Sequence, residues 1–363
     1  MLFSKNKPLV AIDIGGYSIK VVNLKKVPTG YELLNLGMIR LTPDSVVDGE
    51  IENPEAVTTA LKSLLETEGI SNRNVVLSVS GQSVIIKKIS VPQMGEDELA
   101  EMIREEAEQY IPFDIDEVNL DFQIITKNSK SDENDDNDDN EVDEEDMDVL
   151  IVAARKDTVK VYQEIIAKVG LKMRVLDLDA FAIENAYEFS NEPELDTAVA
   201  LVNIGASMTN INILENGITA FTRDLQSGGN NISEEIQKNL QVSFTEAEKY
   251  KLGILDDSFT KDDIVPHVLT GLEMLCREIG NLFDIFHKTS DYKISKIYLS
   301  GGTCQMENID KLVEKYTGIT SQCMKAFDGI SFNEENIDKE YVAEMNSVMA
   351  LPLGLAIRTL GEK

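Results

Sequence analysis

The 363-residue sequence has no tryptophan, two histidines and three cysteines, and its 34 basic residues are far outnumbered by 65 acidic ones. With only His267 and His287 available, no His-based metal centre or catalytic triad is supported. Cys276, Cys304 and Cys323 are odd in number and widely spaced. They build no disulfide framework and fit a reducing compartment, most simply as small buried side chains. The formal charge of −31 excludes a nucleic-acid binder, because neutralising phosphates takes clustered Lys and Arg. No apolar run approaches the length of a membrane helix. The run behind Lys5 and Lys7 is stopped by Asp13, so a secretory signal is not expected.

What the sequence does contain is a repeated strand–glycine–strand unit. Leu9 to Val22, LVAIDIGGYSIKVV, reads as a buried strand, then Asp13-Ile14-Gly15-Gly16, then a second strand from near Ser18. Gly in such a turn lets backbone N–H groups approach a phosphate, and Asp13 is placed to orient water around a cation. A plain β-hairpin with a Gly turn looks the same. Val199 to Ile213, VALVNIGASMTNINI, repeats the form, with Asn203 and Gly205 standing where Asp13 and Gly15 stood.

In chain order, strands at Ile19–Lys25 and Tyr31–Arg40 are followed by a helix from Asn53-Pro54 to about Glu68. Further strands are expected at Asn74–Val79 and Ser83–Val91. Pro92 marks a boundary. Beyond it a charged helix, Gly95 to Tyr110, is stopped by Pro112, a strand follows at Val118–Thr126, and Val149–Ala154 resumes before a helix from Asp157 to about Val169. Twelve acids and no base fall within Asp132–Asp148. A tract this charged reads as a solvated, disordered loop (128–147) inside a small inserted α/β unit. Asp177–Phe189 reads as a helix whose Ala180, Ala182 and Ala186 admit another backbone.

The second half has strands at Ala198–Asn203, Met208–Leu214 and Ile218–Arg223. Ser227-Gly228-Gly229-Asn230 then opens a helix whose N-terminus either faces an anion or is a plain turn. Glu248 and Lys251 stand three apart on the next helix, the spacing of an ordinary surface ion pair. Ile264–His287 is a long amphipathic helix. The strand Lys296–Leu299 runs into Ser300-Gly301-Gly302-Thr303, another place where a ligand can approach backbone, ahead of a helix from about Met306 to Tyr316. A last helix, Ala343 to Thr359, carries Ala350, Gly354 and Ala356 despite Pro352.

Three such turns and two small-residue helices, in this order, resemble the actin-type ATPase superfamily. The segments MGEDELAEMIREEAEQYIPFDIDEVNLDFQII, FTRDLQSGGNNISEEI and AEKYKLG are similar to the PilM family of type IV pilus assembly proteins. The resemblance implies an α/β actin-like (duplicated ribonuclease-H-like) two-domain fold with a small α/β subdomain of the kind shared by PilM and the division protein FtsA. The implied divisions are 1–91, the insert 92–175, a connector 176–196, a second domain 197–342 and a returning helix 343–363. FtsA-like proteins usually end in an amphipathic membrane helix, which this sequence does not show after its last core helix. PilM is therefore the better match.

By the same resemblance, ATP or ADP with Mg²⁺ would be held by Asp13 (through metal-bound water), Gly15, Gly16, Tyr17, Ser18 and Lys20 on a first phosphate loop. Asn203, Gly205, Ser207 and Thr209 would form the second, and Gly228 and Gly229 would bind the nucleotide as well. Glu248, Lys251, Gly301, Gly302 and Thr303 would lie on the adenosine side. Asn203 departs from the usual Asp of that loop and carries no charge to hold Mg²⁺ or polarise water, so hydrolysis is expected to be slow or absent. The implied role is a cytoplasmic scaffold for pili and twitching motility, recruited to the inner membrane through its partner. It would bind the N-terminal cytoplasmic tail of PilN and link to the pilus motor ATPases or platform protein, with self-association open. The tail would lie between about Val91 and Val175, where Tyr110, Ile111, Phe113 and Phe122 either line a groove or form the insert's own core. The alternatives are a small-molecule kinase or other hydrolysing actin-like ATPase, a polymerising FtsA-type scaffold, and a type II secretion component.

Overall fold

The computed structural model describes residues 8–125 and 146–358. These fall into two compact units, one holding the chain up to Gly81 and again from Val161, the other Gln82–Lys160.

The larger unit begins with an antiparallel meander of β1 (Val10–Ile14), β2 (Ser18–Val27) and β3 (Gly30–Arg40). All five residues of β1 are buried, as a central strand covered on both faces requires. A small hairpin, β4 (Val46–Val47) with β5 (Glu50–Ile51), leads to α1 (Pro54–Thr67). Asn53 caps α1 by accepting from the Ala56 N–H at 3.1 Å, Pro54 takes the first turn, and Val57, Leu61, Leu64 and Leu65 are buried. β6 (Asn74–Val79) then pairs parallel to β1.

The smaller unit contains β7 (Val84–Pro92), α2 (Glu96–Ala107), β8 (Val118–Ile125) and β9 (Asp146–Arg155). Its three strands pair in the order β7-β9-β8, with Leu99, Ile103, Val149 and Ile151 in its core. The boundary back to the larger unit falls within α3 (Lys156–Lys168).

β10 (Lys172–Leu178) next adds parallel to β6, and α4 (Asp179–Ser190) follows. The second half repeats the first. β11 (Ala198–Ile204), β12 (Thr209–Glu215) and β13 (Ile218–Leu225) form the meander. α5 (Gly229–Leu240), α6 (Phe244–Lys251) and α7 (Lys261–Phe286) lead to β14 (Ile294–Ser300), which lies parallel to β11. Then come α8 (Ile309–Thr317), β15 (Ser321–Cys323), β16 (Ser331–Phe332), α9 (Lys339–Glu344) and α10 (Ala350–Ala356). One sheet reads β3-β2-β1-β6-β10, with β16 added at the β3 edge, and the other β13-β12-β11-β14-β15. The same order twice is the duplicated ribonuclease-H-like arrangement, and the expected actin-like fold is the one observed. α4 and α10 pack together, and a Cβ at Gly354 would overlap the Ala182 carbonyl, so these helices meet backbone to backbone. Among the described residues no helix is long and apolar enough to cross a membrane.

Four expectations need correction. Asp177 does not start a helix: it lies in β10, and α4 begins at Asp179, because Lys172–Leu178 pairs along β6. The last helix is two, α9 and α10, with a turn at 345–349. Pro352 has no N–H for the Val348 carbonyl and its ring crowds that carbonyl, which favours the break. The compact unit is Gln82–Lys160 and not 92–175, because β7 pairs with β9 whereas β10 joins the large sheet. The acidic tract lies outside the described residues except at its end, where Asp146–Asp148 belongs to β9. Asp148 is buried there against Lys88 Nζ at 3.1 Å and Ser90 Oγ at 2.7 Å. The remaining acids of 128–147, and the chain ends expected within 1–91 and 343–363, lie outside the described residues at 126–145, 1–7 and 359–363.

Candidate functional site

The two glycine turns are built alike. Gly15 N–H donates to the Ser18 carbonyl at 3.1 Å, and Gly205 N–H donates to the Met208 carbonyl at 2.9 Å. Asp13 stands opposite Lys20 across the first hairpin, and Asn203 stands opposite Asn210 across the second. In the first pair Lys20 Nζ lies 2.7 Å from Asp13 Oδ2, with both side chains largely shielded. In the second, Asn203 Nδ2 donates to Asn210 Oδ1 at 3.0 Å. The turns face one another closely enough that a Cβ on Gly16 would press on Ser207 Oγ at 2.8 Å.

A third loop closes the cleft. Leaving β14, Gly301 N–H donates to the Ser347 carbonyl at 3.1 Å, which belongs to the turn between α9 and α10. Thr303 Oγ1 then donates to the Gly205 carbonyl at 3.3 Å. On α6, Lys251 Nζ donates to Glu248 Oε1 at 2.6 Å and to the Gly229 carbonyl at 3.1 Å, and Ser233 Oγ also bonds Glu248. This is no surface ion pair: the Lys251 side chain is 6% exposed and that of Glu248 12%. Burial pulls the Lys251 pKa down, and Glu248 works against that pull.

One cavity is lined by most of the residues that the sequence singled out. From the first loop these are Asp13, Gly15, Gly16, Tyr17, Ser18 and Lys20; from the second, Asn203, Gly205 and Ser207. Glu248, Lys251, Gly301, Gly302 and Thr303 complete the set. Thr209, Gly228 and Gly229 do not line it. Thr209 is fully buried and donates to the Ser227 carbonyl at 2.7 Å. Gly229 and Asn230 donate their N–H groups to the Gly205 and Ala206 carbonyls at 2.9 and 2.7 Å, and Gly228 N–H goes to Asn231 Oδ1 at 2.8 Å. The first turn of α5 therefore props the second loop from behind, with these donors already committed.

Sequence reasoning missed one acid in the cleft. Asp179, at the start of α4, accepts from Ser78 Oγ at 2.5 Å and from Ser80 Oγ at 2.6 Å. Burial, reinforced by the negative charge of Asp13, pushes its carboxyl up to about 7, against the pull of the two hydroxyls. Tyr162 and Asn210 also line the cavity. The available signal was an acid at the end of a strand, the same placement as Asp13. Among the described residues no group of three or more His, Cys, Asp or Glu side chains could hold a metal ion. Asp13, Asp179 and Glu248 line the cavity, one Asp13 oxygen is taken by Lys20, and both Asp179 oxygens by serine hydroxyls. A divalent cation would fit only with ligands that it brings, such as phosphate oxygens and water.

A duplicated α/β body with a cleft walled by two matching glycine hairpins and a third glycine loop defines an actin-like protein. The sequence profile described as type IV pilus assembly protein PilM matches residues 11–360. The chain belongs to that family. Among solved structures, a PilM-PilN type IV pilus biogenesis complex is similar with a TM-score of 0.83 and 26% identity, over 98% of this chain and 100% of that one. MreB5 of Spiroplasma citri, solved bound to ADP, shares the fold at a TM-score of 0.54 and 13% identity, over 97% and 95% of the two chains. The cell division protein FtsA of Bacillus subtilis (strain 168) is 22% identical over 258 residues, 68% of this chain. The match spans 58% of that relative's own length.

Proposed function

We propose that this chain is a nucleotide-binding scaffold of type IV pilus assembly that receives the N-terminal cytoplasmic tail of a PilN-type membrane protein. The observation that carries the reading is the near full-length likeness to the PilM of a PilM-PilN complex. The cleft supports ATP or ADP as ligand. Its two facing hairpin turns suit phosphates, its Lys20 supplies a point charge, and an actin-like neighbour holds ADP. Mg²⁺ would enter with the nucleotide, near Asp13, and would offset phosphate charge. Slow or absent turnover follows from the neutral Asn203–Asn210 pair, which gives no charge to polarise an attacking water. Hydrolysis has one observation in its favour: Asp179 is a carboxyl titrating near neutrality inside the cleft.

The tail would dock on the Gln82–Lys160 unit. Within its sheet, β7 and β8 are edges, and an edge strand accepts an extended peptide through main-chain hydrogen bonds. Tyr110 is 42% exposed, with Lys87 Nζ 5.7 Å from its ring centre, whereas Ile111 is buried in the unit's own core. Phe113 and Phe122 pack against that core. The protein would act in the cytoplasm, held at the inner membrane by the tail, with onward contacts to the motor ATPases or platform protein and to further copies of itself. Titrating the chain with a synthetic peptide of the tail, with and without ADP, tests this. Saturable binding that a Tyr110→Ala change weakens is the expected result, and no binding in either condition would sink it.

A further inference from the structure

The stretch Phe221-Thr222-Arg223-Asp224 is not accounted for by the nucleotide loops. The register of the second sheet sets Asp224 opposite Asn210, Asn210 opposite Asn203, and Asn203 opposite Ser300. Their side chains form one polar rung across four strands. Ser300 Oγ donates to Asn203 Oδ1 at 3.2 Å, and Asn203 Nδ2 donates to Asn210 Oδ1 at 3.0 Å. Asn210 Nδ2 in turn donates to Asp224 Oδ1 at 2.8 Å. Every donor points towards Asp224. A carboxylate only accepts, so Asp224 fixes which way both amides face. Both amides line the cavity.

The other oxygen of Asp224 reaches the opposite half of the same unit. Oδ2 accepts the Gly81 backbone N–H at 2.7 Å. Gly81 has φ +85°, and a Cβ there would press on the Asp48 carbonyl at 2.8 Å, so only glycine presents its amide in this way. Gly81 follows Ser80, which lines the cleft and holds Asp179. One exposed carboxylate thus bonds the first half through backbone and the second half's cleft wall through the rung.

We propose that Asp224 is a positioning residue that latches the cleft and sets how fast a bound nucleotide leaves; this rests on the nucleotide reading above. The acid missing at Asn203 is supplied two strands away, where it orders the wall and ties the two halves together.

The test is release of a fluorescent ADP, chased with excess unlabelled ADP, from the full chain. Asp224→Asn leaves one oxygen where there were two, so either Asn210 or the Gly81 N–H loses its acceptor, and release is expected to speed up at least about threefold, as loss of one exposed charge-assisted bond implies. Asp224→Glu keeps both acceptor oxygens at this exposed position and is expected to release ADP more slowly than Asp224→Asn. Release unchanged by Asp224→Asn, or a Glu variant no slower than the Asn variant, overturns the latch. If the Asn variant does not fold, amide exchange of Gly81 in the unaltered chain decides: slower exchange with ADP bound supports the latch, and equal exchange overturns it. Failure of the unaltered chain to bind the fluorescent ADP at all overturns the nucleotide reading and the latch together, and it is seen before any variant is made.

Discussion

Replacing Glu184 by Gln is expected to flatten the dependence of stability on pH. Glu184 projects from α4 against the second sheet, where its Oε2 accepts from Thr219 Oγ1 at 2.6 Å and Asn212 Nδ2 at 3.1 Å. Burial pushes its carboxyl up to about 7 from an ordinary 4.5, opposed by those two bonds and reinforced by Glu188 and Asp177. Across that window the unfolded chain releases a proton that the folded chain keeps, so stability falls as pH rises. The contribution is fully present below the unfolded value and lost once pH passes the folded one. At about 1.4 kcal/mol per pKa unit the loss comes to about 3 kcal/mol. Gln still accepts from Thr219 and Asn212, so the variant isolates the charge. Urea unfolding of the nucleotide-free chain, followed by circular dichroism at a series of pH values, measures the difference between parent and variant. Most other titrating groups cancel in that difference. Asp177 and Glu188 are themselves eased by the change, so the variant gains on the alkaline side. A difference that stays constant across the window would refute the reasoning.

Three further outcomes can be checked. Lys20→Ala removes the 2.7 Å partner of Asp13 and is expected to weaken ADP binding about tenfold or more in a fluorescence titration; unchanged affinity would take Lys20 out of the site. Gly354→Ala forces a methyl into the Ala182 carbonyl and is expected to lower stability by about 2 kcal/mol or more, read from thermal unfolding. Asn203→Asp combined with Asn210→Lys gives the second hairpin the ion pair of the first and is expected to raise ATP turnover, measured as phosphate release. If turnover does not move, the neutral pair is not what limits it.

The glycine hairpins were legible because strand, turn and strand are local: Leu9–Val22 and Val199–Ile213 each carry their own pattern. The cap of α1 was legible for the same reason, with Asn53 and Pro54 next to the residues they serve. What stayed hidden depended on partners distant in the chain. Lys172–Leu178 becomes a strand by pairing with β6, and only that pairing brings Asp179 to Ser78 and Ser80. The spacing of Glu248 and Lys251 is that of any surface pair, and it takes α5 and the Gly229 carbonyl to bury it. Gly228-Gly229 looked like an anion site because a sequence shows free helix donors, not the carbonyls of Gly205 and Ala206 that take them. β7 fell on the wrong side of a boundary because Pro92 stops a strand without saying which sheet it joined.

The two hairpins differ at both facing positions. Asp13 and Lys20 neutralise each other across the first turn, and Asn203 and Asn210 satisfy each other across the second. An Asp at 203 facing Asn210 would leave a buried charge, and a Lys at 210 would draw on Asp224 for its counter-ion. Exchanging both keeps every donor paired and removes net charge from the wall. The cost is orientation, since two amides can face either way, whereas an ion pair cannot. Asp224 removes that freedom by accepting from Asn210 at the end of the rung. The carboxylate is therefore displaced and not abolished, and at its new place it spends its second oxygen on Gly81 across the cleft. A carboxylate that the first hairpin keeps in its wall is here bonded to both halves of the body.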